Sequence, residues 1–164
     1  MNRPSALAAD DEMVRRMLAG VRAAGLKLTP QRLAVVRALA GDTSHPTAQE
    51  LLERLRPGLP TMSFATVYNT LDALRAAGLC SALSLSPGSG RFDPNMTPHH
   101  HAVCDGCGAV SDIPVAARDR AAPLAPGARR AVGAGAPGFE VRAVERVYRG
   151  RCARCSARQR RARS

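Results

Sequence analysis

The sequence predicts an α+β protein with helices in its first half and strands in much of its second half. Three observations carry this prediction. Apolar residues recur at helical spacing up to about Gly78, a glycine-rich turn then separates two short strand-like segments, and two Cys-x2-Cys pairs follow. With 164 residues, the chain can form one domain or two small ones.

Composition limits both the core and the choice of partner. Hydrophobic residues make up 45% of the chain, but aromatic residues only 3%, so we expect a core of mainly Ala, Leu and Val. The formal charge of +11 favours a polyanion as partner, because Lys and Arg gain free energy when they displace counterions from phosphates. An ordinary solvated basic surface is the alternative.

The expected location of the protein decides whether its cysteines are more plausible as disulfides or as metal ligands. No apolar run approaches the roughly 20 residues that span a membrane, and the N-terminal segment MNRPSALAADDE has no apolar signal core. We therefore expect a cytosolic protein without membrane association, in which reducing conditions favour metal ligands over disulfides. Cys80 stands apart from the pairs and is expected to be a small buried hydrophobe.

Two helices are predicted before residue 41. The first spans Asp10 to Ala24, and its apolar face comprises Met13, Met17, Leu18 and Val21. The second begins after Thr29, which can cap it, with Pro30 at its first position. Its apolar stripe comprises Leu33, Val36 and Leu39.

Two further helices and a hairpin complete the first half. Thr47 and Glu50 form a capping-box pattern that opens a helix ending near Leu55. Ser63 can cap the fourth helix, FATVYNTLDALRAAG, whose inward residues are Val67, Leu71 and Leu74. Ala82 to Leu85, the PGSG turn and Arg91 to Asp93 then form a hairpin.

This order of elements is typical of a winged helix-turn-helix, in which the last helix enters the major groove of DNA. The hairpin would be the wing, with Arg91 placed to contact a phosphate. A helical bundle with an unrelated hairpin is the alternative. The candidate DNA contacts are Lys27, Arg32, Ser63, Thr66, Tyr68, Asn69, Arg75 and Arg91.

The second half alternates between strand-like and irregular segments. Ala102 to Val103, Gly108 to Ile113 and Phe139 to Tyr148 have strand character. A helix is possible over Val115 to Ala122, whereas Gly133 to Pro137 predicts no regular structure. The tail from Ser156 is a basic run that we expect to be frayed. The predicted division is therefore 1–90 for DNA binding, 91–155 for metal binding and 156–164 for the tail.

The paired cysteines predict a structural zinc site. Two Cys-x2-Cys turns, Cys104/Cys107 and Cys152/Cys155, supply the four thiolates that Zn²⁺ binds tetrahedrally. The intervening 44 residues, 108–151, exceed the roughly 15 to 20 of a compact zinc ribbon, so the fold must bring the turns together. Four thiolates would leave no open position for catalysis.

The histidine run HHH offers a different kind of ligand. On an extended segment His99 and His101 share a face, and His100 points away. The nearby carboxylates are Asp93 and Asp112, and His45 is an isolated imidazole before Pro46. Mixed imidazole and carboxylate ligands suit Fe²⁺, Mn²⁺ or Zn²⁺. A surface histidine run and a loop histidine are the alternatives.

Five segments occur in this order: HPTAQELLERLRPGLPTMSFATVYNTLDALRAAGL, RFD, HHHAVCDGCG, DI and YRGRCARC. Together they resemble the ferric uptake regulator family, and the resemblance covers about Leu26 to Cys155. The resemblance implies a metal-dependent repressor that binds a palindromic, double-stranded DNA operator as a homodimer. It also implies a winged-helix domain and a C-terminal α/β dimerisation domain held by a four-thiolate zinc.

The resemblance further implies a regulatory metal site that joins the two domains. The matching positions are His45, Asp93, His99, His101 and Asp112. Iron-sensing members commonly carry Glu at the position of Asp93 and peroxide-sensing members commonly carry Asp, so the chain is more similar to the peroxide-responsive branch. In that branch bound Fe²⁺ reacts with H₂O₂, a ligand histidine, here His45 or His99, is oxidised, and repression is lost. Mn²⁺ would support repression without this chemistry.

Three features depart from the family pattern. No histidine follows His101, which argues against iron regulators with an additional histidine-containing site, and His100 is an extra imidazole that leaves nickel or zinc sensing open. The Pro- and Gly-interrupted segment Val115 to Gly138 replaces what is usually a cleaner helix.

Two other classes of function stay open at the level of sequence. A hydrolytic enzyme could use His99, His101 and Asp93, but no motif such as HExxH supplies a general base. The second class is a basic zinc-binding module that binds nucleic acid, here RNA, and has no sensing function. Metal-dependent, salt-sensitive binding to a palindromic duplex separates the repressor from both.

Overall fold

The computed structural model describes residues 6–86, 89–115, 130, 132, 134–141, 144 and 146–162. The chain divides into two compact units, Met1–Met96 and Thr97–Ser164. The helices and strands are α1 Ala6–Ala23, α2 Pro30–Ala40, α3 Ala48–Leu55, α4 Phe64–Ala76, β1 Ser81–Ser86, β2 Ser89–Asp93, β3 His99–Cys104, β4 Val110–Pro114, β5 Val147–Gly150 and α5 Ala153–Arg161. The α+β class is confirmed, and the predicted three-part division stays a prediction.

Side-chain caps determine where three of the helices begin. Thr29 Oγ1 accepts from the backbone N–H of Arg32 at 3.2 Å, at the start of α2. At the start of α3 the capping box is complete, because Thr47 Oγ1 accepts from Glu50 N at 3.1 Å and Glu50 Oε2 accepts from Thr47 N at 2.8 Å. Ser63 Oγ accepts from the N–H three residues on at 3.1 Å. The three predicted caps are therefore confirmed, and each satisfies an otherwise unpaired amide.

Helix α1 begins earlier than its predicted first residue, Asp10. The segment before Asp10 is Ala6-Leu7-Ala8-Ala9, and Ala and Leu have high helix propensity, so they extend the helix toward the N-terminus. Asp10 and Asp11 therefore lie inside α1 and not in its first turn.

The core of the first unit is aliphatic, as the composition predicts. Fully buried residues come from each of its four helices, and they include Val21, Val36, Leu39, Leu51, Val67, Leu71 and Leu74. Cys80 belongs to this core: its Sγ lies 3.8 Å from the carbonyl oxygen of Leu71, and burial raises the pKa of its thiol to about 12. The interpretation of Cys80 as a buried hydrophobe is confirmed.

The hairpin follows α4 directly. Strands β1 and β2 are antiparallel, with Ala82 opposite Phe92 and Leu83 opposite Arg91. Phe92 is buried in the core of the first unit, and its N–H donates to the carbonyl of Pro46 at 2.9 Å. The hairpin is therefore tied to the segment that leads into α3.

The second unit contains a three-stranded sheet with β3 in the middle. Strand β4 is antiparallel to β3, and β5 is parallel to it. The strand predicted over Phe139 to Tyr148 is wrong in its first part, because 139–141 are not in a strand and β5 begins only at Val147. Alternating apolar and polar residues indicate strand character, but a strand also needs a neighbouring strand with which to pair. The pairing of β5 with β3 begins at Val147, which lies opposite His101.

Two other predictions concern the end of the chain. The predicted helix over Val115 to Ala122 lies, apart from Val115, outside the described residues. The tail expected to be frayed is helical instead, because α5 continues to Arg161. Its Ala, Arg and Gln residues have high helix propensity, which outweighs the repulsion between exposed basic side chains. None of the described helices combines the length and apolarity required to cross a bilayer.

Candidate metal centres

The four paired cysteines converge in the second unit. The Sγ atoms of Cys104, Cys107, Cys152 and Cys155 all lie within 4.8 Å of one another. The Cys107 and Cys152 sulfurs are 3.9 Å apart. Four ligands at the usual zinc–sulfur distance of about 2.3 Å, arranged tetrahedrally, would have sulfurs about 3.8 Å apart. The cluster therefore has the size of a four-thiolate zinc site.

Parallel pairing of β3 with β5 brings the two cysteine turns together. Cys104 lies opposite Gly150 in this pairing, and the N–H of Asp105 donates to the carbonyl of Gly150 at 2.7 Å. The chain leaves β5 two residues before Cys152, which is the N-cap of α5, so Cys155 lies in the first turn of that helix. The long separation of the two turns in sequence is thus closed by a strand pair.

The electrostatics of the cluster favour a cation. The N–H of Cys152 donates to Cys104 Sγ at 3.2 Å and lowers the pKa of the Cys104 thiol to about 6. A backbone N–H from Ala109 lowers the pKa of Cys107, whereas hydrogen bonding to the Cys152 sulfur raises the pKa of Cys155 to about 12. Four thiolates at this separation repel one another, so all four ionise together only when a cation lies between them.

Two glycines in the first cysteine turn are functional residues that the sequence reasoning missed. A Cβ on Gly106 would lie 3.0 Å from the Cβ and Sγ of Cys155, so a side chain there would press on a metal ligand. Gly108 has φ +70°, and its N–H donates to the Cys104 carbonyl at 2.8 Å. The signal was present in the letters CDGCG, because glycines next to paired cysteines indicate a tight turn.

The second unit also brings together His99, His101 and Asp112. The two histidines lie on one face of β3, and their Nε2 atoms are 2.9 Å apart. Asp112 on β4 lies directly opposite His101, and its Oδ1 is 3.6 Å from His99 Nε2. Two imidazole nitrogens that bind one ion at about 2.1 Å would be roughly 2.9 to 3.4 Å apart, so this geometry fits shared ligation.

The hydrogen bond of His99 selects its metal-binding tautomer. His99 Nδ1 is 2.7 Å from the carbonyl oxygen of Thr97. Because a carbonyl oxygen only accepts, Nδ1 carries the proton and Nε2 presents its lone pair toward His101 and Asp112. His101 is fixed by its backbone, since its N–H donates to the Arg146 carbonyl at 3.0 Å.

The first unit brings His45 and Asp93 together. His45 Nε2 lies 3.7 Å from Asp93 Oδ2, and each side chain is only 2% exposed. Asp93 Oδ1 also accepts from the N–H of Asn95 at 2.8 Å. An imidazole and a carboxylate held together in this way are chemically suited to bind a divalent cation.

His100 points away from its two neighbours, as expected for alternating residues on a strand. It is nine-tenths buried, and its ring centroid lies 6.1 Å from that of Tyr148. Its opposite residue on β4 is Ile113. His100 therefore lies on the face of the sheet that carries apolar and aromatic side chains, away from the pair formed by His99 and His101.

The residues predicted to contact DNA lie in different settings, and their assignment stays a prediction. Ser63, Tyr68 and Asn69 are exposed at the N-terminal half of α4, and Thr66 is half-buried. The ring of Tyr68, which is 50% exposed, stacks with that of Phe64 at a centroid distance of 6.1 Å.

The basic residues of that set also have protein contacts. Arg75 pairs with Asp72 at 2.8 Å, and the Arg32 guanidinium donates to the carbonyl of Lys27. Arg91 Nη1 donates to the carbonyl of His45 at 2.9 Å and lies 3.2 Å from Glu50 Oε2.

Comparison with known proteins gives a consistent result. The ferric uptake regulator family pattern matches residues 23–123. The peroxide-responsive repressor PerR of Staphylococcus epidermidis is 39% identical over 103 residues, which are 63% of this chain and 69% of the relative. For the repressor of the same name from Staphylococcus aureus (strain Mu50), identity is 40%, and the match covers 58% of this chain and 65% of the relative.

A solved structure shares the architecture. The ferric uptake regulator from Pseudomonas aeruginosa, solved with manganese, aligns with a TM-score of 0.60 and 25% identity, and the alignment covers 82% of this chain and 96% of that one. The cluster of four thiols and the two groups of histidine and aspartate side chains therefore occur in a chain that is similar in sequence and fold to metal-responsive regulators.

Proposed function

Because the chain belongs to the ferric uptake regulator family, we propose that it is a metal-dependent transcriptional repressor that binds a palindromic DNA operator as a homodimer. Members of this family are transcriptional regulators rather than enzymes. One observation carries the proposal: the chain holds two chemically different donor sets, one of thiols and one of imidazoles and carboxylates. Such sets suit ions with different roles.

The thiol set would hold a permanent structural Zn²⁺. Its donors are Cys104, Cys107, Cys152 and Cys155, and their separation is that of a tetrahedral site. Zinc there would fix the start of α5 against the turn that follows β3. Because four thiolates complete the coordination shell, this site supplies rigidity and no open position for a substrate.

The imidazole and carboxylate set would hold the regulatory Fe²⁺ or Mn²⁺. We propose that one ion is bound by five residues, two from the first unit and three from the second: His45, Asp93, His99, His101 and Asp112. An ion bound by both units favours the arrangement of the units that fits the operator. By linkage, metal then increases DNA affinity and DNA increases metal affinity by the same factor.

The DNA-binding surface would be a winged helix in the first unit. In this proposal α4 enters the major groove, and β1 and β2 form the wing. The exposed Tyr68 and Asn69 on α4 supply an aromatic contact and an amide that can pair with a base edge. The net charge of +11 supports a polyanionic partner.

We further propose that the signal is peroxide. Two observations support this over simple metal sensing: curated relatives at about 40% identity are peroxide-responsive repressors, and the residue at the proposed ligand position 93 is Asp. Fe²⁺ held by these residues would promote cleavage of the O–O bond of H₂O₂ next to the ligands. One oxygen atom would add to a ring carbon of an imidazole, that of His45 or His99, and the other would leave as water. The oxidised ring would lose its place as a ligand, so the two units would no longer be held together by metal.

Mass spectrometry of the peroxide-treated protein tests this proposal. The zinc-loaded chain is prepared with Fe²⁺ or with Mn²⁺, exposed to H₂O₂ and digested. Gain of an oxygen atom on the peptide containing His45 or His99, in the Fe²⁺ form only, is the expected result. If neither histidine is oxidised while Fe²⁺ still promotes DNA binding, the chain is a metal-responsive regulator of iron, zinc or nickel without peroxide chemistry.

A further inference from the structure

The backbone at His45 adopts a conformation that its sequence does not favour. Its φ is +55°, and within the described residues it is the single non-glycine residue with positive φ. A left-handed backbone places Cβ close to the following carbonyl, so a residue with a side chain rarely adopts it. The next residue is Pro46, and a residue before proline is normally extended. His45 is therefore held in place by contacts outside its own peptide unit.

Those contacts come from strand β2. Arg91 Nη1 donates to the carbonyl of His45 at 2.9 Å, Phe92 N donates to the carbonyl of Pro46 at 2.9 Å, and Thr47 pairs with Arg91 in an isolated antiparallel bridge. Residues 45 to 47 are thus fixed to β2 at three successive positions. Only the contact to His45 depends on a side chain, that of Arg91.

Glu50 fixes the direction of the Arg91 side chain. Its Oε2 lies 3.2 Å from Arg91 Nη1, and the same oxygen accepts from Thr47 N at 2.8 Å in the capping box of α3. The Arg91 side chain is 21% exposed, so its guanidinium is turned toward this carboxylate and the His45 carbonyl and away from solvent. The charge-assisted pair restricts the rotamers available to Arg91.

The geometry of β2 relates the Arg91 contact to Asp93, the second proposed ligand in the first unit. Arg91 and Asp93 are two residues apart on β2 and share a face of the strand. Asp93 Oδ2 lies 3.7 Å from His45 Nε2. One strand therefore carries a proposed metal ligand and, two residues earlier, the side chain that holds the backbone of the other ligand.

We propose that Arg91 is a positioning residue for the metal ligand His45 and not a contact to DNA phosphate. This proposal rests on the assignment of His45 to the regulatory site. Arg91 acts by restricting the backbone of residues 45 to 47, so that the imidazole is already placed when metal arrives. Without its two hydrogen bonds, the segment would relax toward the extended backbone that precedes most prolines, and metal binding would have to reverse that change.

The test measures metal binding and DNA binding separately. Zinc-loaded full-length protein is titrated with Mn²⁺, and free Mn²⁺ is followed by electron paramagnetic resonance. The variants are Arg91→Met, which keeps the aliphatic stem, Arg91→Lys, which keeps the charge, Glu50→Gln, and His45→Ala. Arg15→Met is the matched control, because it removes an exposed arginine of α1 in the same unit that also pairs with a glutamate, Glu12.

The expected result is a weaker Mn²⁺ affinity for Arg91→Met, by roughly 10- to 100-fold, as found when residues that orient a ligand are removed. Arg91→Lys should recover part of the loss, Glu50→Gln should show a smaller loss, and Arg15→Met should bind Mn²⁺ as the wild type does. If Arg91→Met does not fold, Arg91→Lys and Glu50→Gln carry the same comparison.

DNA binding, measured at saturating Mn²⁺, distinguishes a positioning role from a phosphate contact, because loss of a phosphate contact would change its salt dependence. The probe is a duplex selected from a random library with the wild-type Mn²⁺ protein. For Arg91→Met we expect wild-type affinity and salt dependence, whereas loss of a phosphate contact would reduce the log–log salt slope by about 1. Wild-type Mn²⁺ affinity in Arg91→Met, or that reduction in slope, overturns the positioning role. Wild-type Mn²⁺ affinity in His45→Ala overturns instead the assignment of His45 to the site.

Discussion

His101 and Asp112 lie directly opposite each other on the antiparallel strands β3 and β4. Directly opposed residues project from the same face of a sheet, so the Asp112 carboxylate reaches the histidines that alternate along β3. Its Oδ1 lies 3.6 Å from His99 Nε2. The register of this strand pair, and not the spacing of the residues in sequence, brings the Asp112 carboxylate next to the two histidines.

Removal of the Asp112 carboxylate should weaken the regulatory site alone. We expect Asp112→Ala to lower Mn²⁺ affinity by at least about tenfold, because removing even a residue that only orients a ligand costs that much. Zinc content, measured by inductively coupled plasma mass spectrometry, should stay at the wild-type value. The control is Ser111→Ala, whose residue lies opposite Ala102. Equal Mn²⁺ affinity in Asp112→Ala and Ser111→Ala would remove Asp112 from the site.

Loss of one cysteine should abolish the thiol site. We expect Cys104→Ser to lose zinc and either to unfold or to become monomeric, because zinc binding of this kind is coupled to folding. Cys80→Ala is the control, since Cys80 is buried in the core of the first unit and should leave the zinc content unchanged. Zinc content and sedimentation velocity report the two effects. A stable zinc-free dimer of Cys104→Ser would contradict the structural role.

A methyl group at Gly106 should loosen the zinc site without removing a ligand. The added Cβ would lie 3.0 Å from Cys155 Sγ, and overpacking of this kind typically costs about 1–3 kcal/mol. We therefore expect Gly106→Ala to release zinc faster to a chelator, as followed by a colorimetric zinc indicator. Gly150→Ala is the control, because no described atom lies within 4 Å of its added Cβ. Identical release rates for the two variants would show that the turn tolerates the methyl group.

The aromatic pair on α4 should affect DNA binding without affecting metal. We expect Tyr68→Ala to weaken operator binding by about 1–3 kcal/mol, the range for a lost specific base contact. Fluorescence anisotropy with a selected duplex measures this, and zinc and Mn²⁺ stoichiometry should be unchanged. Gln49→Ala on α3 is the control, because Gln49 is also exposed in the first unit. Wild-type affinity for Tyr68→Ala would exclude this face of α4 from the operator.

Asp42 should give the stability of the first unit a dependence on pH. Burial raises the pKa of its carboxyl, but hydrogen bonds from Ser44 and the Arg54 guanidinium outweigh burial, and the pKa is lowered overall. A lowered folded-state pKa stabilises the fold above the unfolded value of about 3.9, and this contribution is lost as the pH falls through the folded value.

Asp42→Asn should therefore destabilise the protein near pH 7 by about 1 kcal/mol, the scale of one hydrogen bond, and the difference from wild type should shrink in acid. Urea unfolding at pH 7 and at pH 3.5, followed by circular dichroism, measures it. The control Asp72→Asn disrupts an exposed pair, for which little effect is expected. A difference that stays constant with pH would show that the effect of Asp42→Asn does not arise from its charge.

Features that depend on neighbouring residues could be predicted from the sequence. The caps at Thr29, Thr47 and Ser63 were predictable because each hydrogen bond spans three residues. The hairpin followed from its turn, and the shared face of His99 and His101 followed from the period of an extended strand. The four-cysteine composition of the zinc site followed from thiolate chemistry and the number of paired cysteines.

The contacts between segments that are distant in sequence became visible only in the folded chain. The parallel pairing of β3 with β5 closes the thiol cluster, and the register of β3 with β4 places Asp112 opposite His101. The inward turn of Arg91 onto His45 and Glu50 likewise had no signal in the sequence. Local structure is fixed by sterics and hydrogen bonds within a few residues, whereas these contacts depend on pairing and packing between segments, which single-chain periodicity does not encode.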